Sequence, residues 1–202
     1  KSLKIINMAD KDADAALARV RFSTDLAAMS EADFVVEAAT ENEGLKAKIF
    51  GDLDRICAPG VILATNTSSI SITRIGAATN RPEQVVGMHF MNPVPIMKLV
   101  ELISGIATSE TTAATTQALA ERLGKTVSHS KDYPGFVVNR ILMPMINEAF
   151  YALYEGIGSA EDIDTGMKLG TNQPMGPLTL ADFIGLDTVS YTHLRAHETR
   201  SY

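Results

Sequence analysis

Two polar residues of this sequence are spaced so that they could carry proton-transfer chemistry. His89 stands near the end of an apolar run, and a second run with Glu101 follows the turn at Asn92-Pro93. If the runs form a hairpin centred on Pro95, residues equally distant from Pro95 face each other, with Cβ atoms about 5 Å apart. Glu101 would then accept the imidazole N–H and leave the other ring nitrogen as a proton acceptor. A structural pair inside the core remains the alternative.

The predicted location of His89 favours a catalytic role. His89 ends its predicted strand, and open α/β sheets bind ligands at the carboxyl edge of their strands. A base beside a dinucleotide crevice suggests oxidation of an alcohol or reduction of a ketone. Ser68 follows another predicted strand in TNTSSIS, so its hydroxyl could bind a substrate oxygen. The pattern alone favours the alternative, in which Ser68 or Ser69 caps the following helix.

Four further polar residues are candidates with weaker signals. Asn139 stands inside the apolar stretch GFVVNRIL, where its amide must bond either a catalytic group or a neighbouring helix. Asn92 precedes a proline, and turn chemistry alone explains it. Glu41 and Lys46 follow the stretch VVEAATEN and by themselves look like surface residues.

Composition narrows the class of protein. The chain has 202 residues, 46% of them hydrophobic, which suffices for one sizeable core or a core with a smaller second domain. The net charge of -6 and the absence of a basic stripe argue against nucleic-acid and anionic-membrane partners. No apolar run reaches the roughly 20 residues of a membrane span, and no signal peptide is visible. A single cysteine, Cys57, is typical of a reducing cytosol, so we expect a cytoplasmic protein.

Alternating strands and helices predict an α/β fold. Strands are predicted near residues 20–23 and at 34–39, 61–64 and 83–90, with helices between them. Such alternation indicates a parallel, doubly wound sheet of the Rossmann type. The next strand, 97–104, follows after a turn too short for a crossover and should therefore be antiparallel. A helix over 109–124 and a strand over 125–131 complete the sheet.

The remainder is predicted to be all helical. The stretch KDYPG is the best linker, which gives a Rossmann domain over 1–131 and the start of a helical domain over 132–189. The last stretch, VSYTHLRAHETRSY, resembles a translated sequencing adapter, so we expect 190–202 to be a non-native tail. His193 and His197 stand four residues apart in that tail, as metal ligands on a helix do, but we expect no metal site.

Five stretches together resemble the 3-hydroxyacyl-CoA dehydrogenase family. They are VVEAATEN, ATNTSSISIT, GMHFMNPVPIMKLVELI, KDYPGFVVNRILMPMINEA and AEDIDTGMKLGTNQPMGPLTLADFIGLD, and the resemblance covers residues 13–188. The segment NPVPIMKLVE is more similar to single-function 3-hydroxybutyryl-CoA dehydrogenases than to multifunctional fatty-acid oxidation proteins.

The resemblance implies a role for each candidate near the reacting carbon. His89 would take the proton of the 3-hydroxyl group while the nicotinamide accepts hydride. Glu101 would orient His89, and Ser68 would bond the substrate oxygen close to the nicotinamide. Asn139 would hold the acyl chain and the histidine in register. Under this resemblance, Ser68 and Asn139 become functional residues.

The resemblance also implies a cofactor, a substrate carrier and a quaternary structure. Asn92 would contact the nicotinamide end of NAD, while Glu41 and Lys46 would contact the region near its ribose. Lys4 and Lys11 fall where the family binds CoA. The sequence leaves NADP open as the cofactor. The family also implies a homodimer.

The chain departs from the family at its front. The dinucleotide fingerprint G-x-G-x-x-G after a first strand is absent, as is the acidic residue about 20 positions later that binds the ribose. We therefore expect a preceding segment that carries them, and expect these residues alone to be inactive. Two alternatives are a dehydrogenase module of a multifunctional β-oxidation protein and a non-catalytic relative that keeps the fold.

Overall fold

The computed structural model describes residues 10–187 and residue 189. The contacts divide the chain into two compact units, Lys1–Asp132 and Tyr133–Tyr202. The first unit contains α1 (Asp10–Leu17), β1 (Phe34–Glu37), α2 (Glu43–Ile56), β2 (Ile62–Thr65), α3 (Ile72–Gly76), β3 (Val85–Phe90), β4 (Leu99–Ser104), α4 (Glu110–Arg122) and β5 (Thr126–Lys131). The second contains α5 (Val138–Tyr154), α6 (Ala160–Gly170) and α7 (Pro177–Ile184).

One mixed sheet organises the first unit. Its strands lie in the order β1-β2-β3-β4-β5; β1, β2 and β3 run parallel, and β4 runs antiparallel to β3 and parallel to β5. The predicted hairpin is confirmed, since His89 pairs with Glu101 in its register. The predicted fold class, a Rossmann-type α/β unit followed by a helical unit, is also confirmed.

Helices cover both faces of the sheet, which makes it doubly wound. On one face, α4 packs through Ala120 against a buried apolar cluster from β2, β3 and β4: Ile62, Ala64, Val86, Met88, Val100 and Leu102. Helices α2 and α3 bury Phe50, Leu53, Ile72 and Ile75 on the opposite side. Each fully buried aliphatic or aromatic side chain contributes about 1.5–3 kcal/mol to folding.

Polar residues begin the helices where the sequence indicates them. The Asn42 side chain accepts a hydrogen bond from Leu45 N at 2.9 Å and begins α2. Ser109 does the same for α4 through Thr112 N at 3.1 Å. Gly124 follows α4 with a φ of 74°, the left-handed conformation that commonly ends a helix.

The predicted strand at 20–23 is wrong. These residues are irregular, and Phe22 is 92% exposed. A 3₁₀ helix, Leu26–Glu31, follows instead and is capped by Asp25, whose side chain accepts from Ala27 N at 2.9 Å. Asp25 N in turn donates to Ser23 Oγ at 3.0 Å. The segment therefore takes its hydrogen bonds from its own short polar side chains rather than from a neighbouring strand.

The helical unit has its own small core. Met143, Ile146, Ala181 and Val189 are buried together. Helix α7 begins without a capping side chain of its own at Gly176. Asp164 of α6 supplies the cap, because its carboxylate accepts from Leu178 N at 2.8 Å and Thr179 N at 2.9 Å. Among the described residues, no helix has the length and apolar character needed to cross a membrane.

Gly87 permits the closest approach within the first unit. A Cβ at this position would lie 2.8 Å from Ile103 Cβ and 2.9 Å from Ile72 Cδ1. We expect Gly87→Ala to lower the free energy of unfolding by about 1–3 kcal/mol, as overpacking does. Gly51→Ala is the control: within α2 its Cβ would meet only Ala78 O, at 3.5 Å. That change should stabilise by about 0.5–1 kcal/mol. Denaturant unfolding measures both, and an unchanged midpoint for Gly87→Ala would contradict the packing.

The Asp164 cap should make stability depend on acid pH. Burial alone would raise the pKa of Asp164, but the bonds from Thr179 and Leu178 and the Lys168 charge outweigh it and hold the pKa below its ordinary value. Because the pKa is lower in the folded chain, the stabilisation that the Asp164 carboxylate provides is fully present above about pH 4, the pKa of an unfolded aspartate. It is lost as the pH falls through the folded-state pKa. We expect Asp164→Asn to cost about 1 kcal/mol at neutral pH.

The same variant should cost less at acid pH, once the pH lies below the lowered folded-state pKa and the carboxyl is protonated in both folded and unfolded chains. Urea unfolding of both proteins at neutral and acid pH measures the difference. A gap between the two proteins that is equal at both pH values would contradict this role of Asp164.

Candidate active site

The strand pair β3–β4 holds a buried imidazole against a buried carboxylate. His89 Nδ1 lies 2.9 Å from Glu101 Oε2, and the two residues are 5% and 0% exposed. The carboxylate accepts from Nδ1–H, which selects the tautomer whose Nε2 can accept a hydrogen bond. The hairpin therefore produces a histidine with a fixed orientation and a proton-accepting nitrogen.

Ser68 is the partner of that nitrogen. Ser68 Oγ lies 3.1 Å from His89 Nε2, and the serine is half-buried just after β2. In the structure Ser68 does not cap the following helix, which was the alternative role. Ser71 caps α3 instead, through Arg74 N at 3.3 Å. Ser69 is occupied differently, since its hydroxyl donates to Glu41 Oε1 at 3.2 Å.

The loop that carries Ser68, residues 66–71, is fixed at both ends. Asn66 Oδ1 accepts from Phe90 N at 2.8 Å, which ties the start of the loop to the end of β3. At the other end, the Asp132 carboxylate accepts from Ser71 Oγ at 2.7 Å, Ile72 N at 2.9 Å and Thr73 N at 2.8 Å. The loop thus lies beside the last residues of β3.

Glu41 holds the middle of this loop. Its Oε1 accepts from Ser68 N at 2.9 Å and from Ser69 N at 3.1 Å, and also from the Thr67 hydroxyl. Thr67 Oγ1 then accepts from Ile70 N at 2.9 Å. One carboxylate therefore orders three consecutive residues around the serine that faces the histidine.

Lys46 lies beneath Glu41 and is not a surface residue. Its side chain is 1% exposed, and Nζ bonds Glu37 Oε1 at 2.8 Å, Glu37 Oε2 at 2.9 Å and Ala39 O at 3.2 Å. Nζ also lies 3.7 Å from Glu41 Oε2. All three ammonium protons therefore have acceptors within the protein.

Sequence reasoning missed three supporting residues. Glu37 was identifiable as the one acid in an apolar strand, because a buried carboxylate requires partners. Thr67 carries no such signal, since a threonine in a polar turn is ordinary. Asp132 lies in the linker stretch KDYPG, and only the fold brings it to the start of α3.

The remaining predicted residues lie elsewhere. Asn92 is exposed in the turn after β3, and Asn139 is partly buried in the first turn of α5, in the helical unit. Lys11 belongs to α1. Lys4 lies outside the described residues, as do His193 and His197 of the predicted tail. The roles predicted for Asn92, Asn139, Lys4 and Lys11 stay predictions.

Two kinds of chemistry use a serine, a histidine and a carboxylate bonded in series. In nucleophilic acyl transfer the serine attacks, and nearby backbone amides stabilise an oxyanion. Here the amides of Ser68 and Ser69 already donate to the Glu41 carboxylate. The loop therefore offers a negative charge where an oxyanion would need donors. The arrangement suits transfer of a proton between His89 and a hydroxyl oxygen that Ser68 also binds.

Among residues 10–187 and 189, no group of three or more His, Cys, Asp or Glu side chains is arranged to hold a metal ion.

Two family models match the chain in succession. The model described as the NAD-binding domain of 3-hydroxyacyl-CoA dehydrogenase matches residues 1–133. The model of the C-terminal domain of the same enzymes matches residues 135–201 and so includes all but the last residue of the predicted tail.

Individual proteins give the same result. The chain is 61% identical over 170 residues to the probable 3-hydroxybutyryl-CoA dehydrogenase of Bacillus subtilis, which covers 84% of the chain and 59% of that protein. It is 56% identical over 173 residues to the enzyme of Bradyrhizobium diazoefficiens, covering 86% of the chain and 59% of the relative. The solved (S)-3-hydroxybutyryl-CoA dehydrogenase of Ralstonia eutropha superposes with a TM-score of 0.92 at 52% identity, covering 97% of this chain and 69% of that one. The chain thus spans about three fifths of the length of the two curated relatives.

The tautomer of His89 can be measured without reference to any reaction. We expect the neutral ring to be held in the Nδ1–H form, because Glu101 Oε2 accepts from Nδ1 at 2.9 Å. In Glu101→Gln the amide can either donate or accept, so the ring should become a mixture of tautomers. Nitrogen-15 shifts of the imidazole measure the ratio. His129, whose Nε2 pairs with Gln117 Oε1 at 3.1 Å, is the internal reference and should not change. An unaltered His89 ratio would exclude Glu101 as its orienting group.

Proposed function

We propose, since the chain belongs to the 3-hydroxyacyl-CoA dehydrogenase family, that its protein interconverts (3S)-3-hydroxyacyl-CoA and 3-oxoacyl-CoA by hydride transfer with NAD. The observation that carries the proposal is the series of bonds from Ser68 Oγ to His89 Nε2, at 3.1 Å, and from His89 Nδ1 to Glu101, at 2.9 Å. A substrate hydroxyl within hydrogen-bond reach of both the serine and the imidazole would meet a donor and a proton acceptor.

The residues of the first unit would divide the work as follows. Ser68 Oγ donates to the 3-hydroxyl oxygen and holds it near Nε2. His89 removes the hydroxyl proton as the hydrogen on the same carbon departs with its electron pair. Bound NAD supplies the acceptor for that hydride. Glu101 stabilises the imidazolium that results, and in reverse His89 returns its proton to the carbonyl oxygen.

The residues assigned to NAD lie at the carboxyl end of the parallel strands, where open sheets bind nucleotides. Glu41 and Lys46 follow β1, and Asn92 follows β3. The polar character of this edge fits a nucleotide: Glu41 and Asn92 can bond hydroxyl and amide groups. Lys46, whose ammonium is buried, would support the cofactor through Glu41, 3.7 Å away. The matched model is that of an NAD-binding domain, which favours NAD over NADP.

The substrate proposed is 3-hydroxybutyryl-CoA, with acetoacetyl-CoA as its oxidised partner. The names of the relatives from Bacillus subtilis and Bradyrhizobium diazoefficiens support this choice over a module of a multifunctional oxidation protein. Asn139 is assigned to the acyl chain, and Lys4 and Lys11 to CoA. We further propose a cytoplasmic homodimer in fatty-acid or butanoate metabolism. A non-catalytic role is disfavoured because all four proposed catalytic residues, Ser68, His89, Glu101 and Asn139, are present.

The test of function is the reduction of NAD by (3S)-3-hydroxybutyryl-CoA in the complete protein. We expect His89→Gln to lower kcat by on the order of 10²–10⁴, because glutamine cannot accept the hydroxyl proton. His129→Gln is the matched control, since His129 is exposed on β5 and its ring pairs with the Gln117 side chain. A loss below tenfold in His89→Gln would mean that His89 is not the base. An unaltered protein without dehydrogenase activity would refute the function itself.

A further inference from the structure

Glu37 is a buried carboxylate to which the proposed reaction assigns no role. It is the last residue of β1, and its side chain is 3% exposed. The carboxylate accepts from Ala39 N at 2.5 Å and from Thr65 Oγ1 at 2.7 Å. Lys46 Nζ donates to both of its oxygens, to Oε1 at 2.8 Å and to Oε2 at 2.9 Å. Four hydrogen bonds on one carboxylate fix its position and that of each donor.

Two routes lead from Glu37 to Ser68. The first runs through the end of β2: Thr65 Oγ1, which donates to Glu37, accepts from Thr67 N at 3.3 Å. Thr67 is the residue before Ser68.

The second route runs through the ammonium group. Glu37 holds Lys46 Nζ at a position 3.7 Å from Glu41 Oε2, while Glu41 Oε1 accepts from Ser68 N at 2.9 Å. Glu37 also bonds Ala39 N and thereby shapes the segment that carries Glu41. The first route ends at the backbone amide of Thr67 and the second at that of Ser68.

From these contacts we infer that Glu37 is a positioning residue for Ser68, acting through Thr65 and through the Lys46–Glu41 pair. The inference rests on the proposed function, in which the Ser68 hydroxyl binds the substrate oxygen. Glu37 itself touches neither substrate nor His89 in this role. Its contribution is to keep Ser68 Oγ at hydrogen-bond distance from His89 Nε2, 3.1 Å in the structure.

Removing the charge of Glu37 has a defined local consequence. In Glu37→Gln the buried ammonium of Lys46 loses its nearest carboxylate and retains Glu41, 3.7 Å away, as its counter-charge. The ammonium should then move towards Glu41 and compete with the Ser68 and Ser69 amides for that carboxylate. The loop is released from one of its anchors, although no group that touches the substrate has been changed.

The kinetic test is a double-mutant cycle in the complete protein. Glu37→Gln alone should lower kcat by on the order of 10–10², the effect of a misplaced binding group, with a smaller change in KM for the acyl-CoA. In a Ser68→Ala background the same change should lower kcat further by less than about threefold, because the group it positions is already gone. Asp52→Asn is the control: Asp52 also forms an ion pair, with Arg55, but within α2 and without a bond to residues 66–71.

A second readout does not depend on activity. Hydrogen exchange of the Ser68 and Ser69 amides should quicken in Glu37→Gln by at least about tenfold, while the amides of Met88 and Ile103 in the centre of the sheet keep their rates. A general loss of stability would instead quicken all four together. If Glu37→Gln does not fold, Thr65→Val breaks the first route and leaves the Lys46–Glu37 pair intact. It should show the same coupling to Ser68 with a smaller loss.

The outcomes separate the two proposals. Multiplicative effects of the Glu37 and Ser68 changes, or unchanged exchange at Ser68 and Ser69, would overturn the positioning role while leaving the dehydrogenase function intact. An unaltered protein without activity would refute the function, and hydrogen exchange alone would then decide whether Glu37 orders the loop.

Discussion

The antiparallel pairing of β3 with β4 is the constraint on which the site depends. Side chains alternate between the faces of a sheet, so a slip of one residue would move Glu101 to the face where α4 packs on Val100 and Leu102. That slip would bury a carboxylate among apolar side chains without a partner, at a large cost in free energy. The apolar residues of both strands therefore enforce the register, and the His89–Glu101 pair follows from it.

The opposite face of the sheet contains charges that only their partners make tolerable. Glu37 and Thr65 occupy paired positions at the ends of β1 and β2, and His89 and Glu101 occupy paired positions on β3 and β4. A buried ion pair such as Lys46–Glu37 contributes little net stability, because desolvation offsets most of the attraction. Its value lies in geometry, since breaking it leaves a buried charge that few other arrangements satisfy. These buried polar residues therefore add little to the stability of the fold, but they fix the positions of the side chains at the carboxyl edge of the sheet.

The sequence predicts the catalytic pair better than its surroundings for a physical reason. Register depends on a local hydrophobic pattern and a short turn, so counting residues from Pro95 sufficed to place His89 opposite Glu101. The Lys46–Glu37 pair and the Asp132 cap depend on side chains that meet only after the strands have assembled. The wrongly predicted strand at 20–23 failed for a local reason. Residues with β propensity occur there, but hydrogen bonds to the Ser23 and Asp25 side chains favour an irregular segment and a 3₁₀ helix. A local sequence pattern can therefore predict strand pairing through a short turn, but not side-chain contacts between distant elements.

Supporting side-chain hydrogen bonds are concentrated where a site residue has no strand partner. His89 and Glu101 lie on hydrogen-bonded strands, where the ladder already fixes both backbones. Ser68 lies on a loop, and a hydroxyl on a mobile loop would not stay 3.1 Å from an imidazole. Glu41 accepts hydrogen bonds from the amides in the middle of the loop, and Asn66 and Asp132 fix its two ends. Side-chain carboxylates and an amide therefore replace the missing strand partner, which explains why so many buried polar groups gather around a single serine.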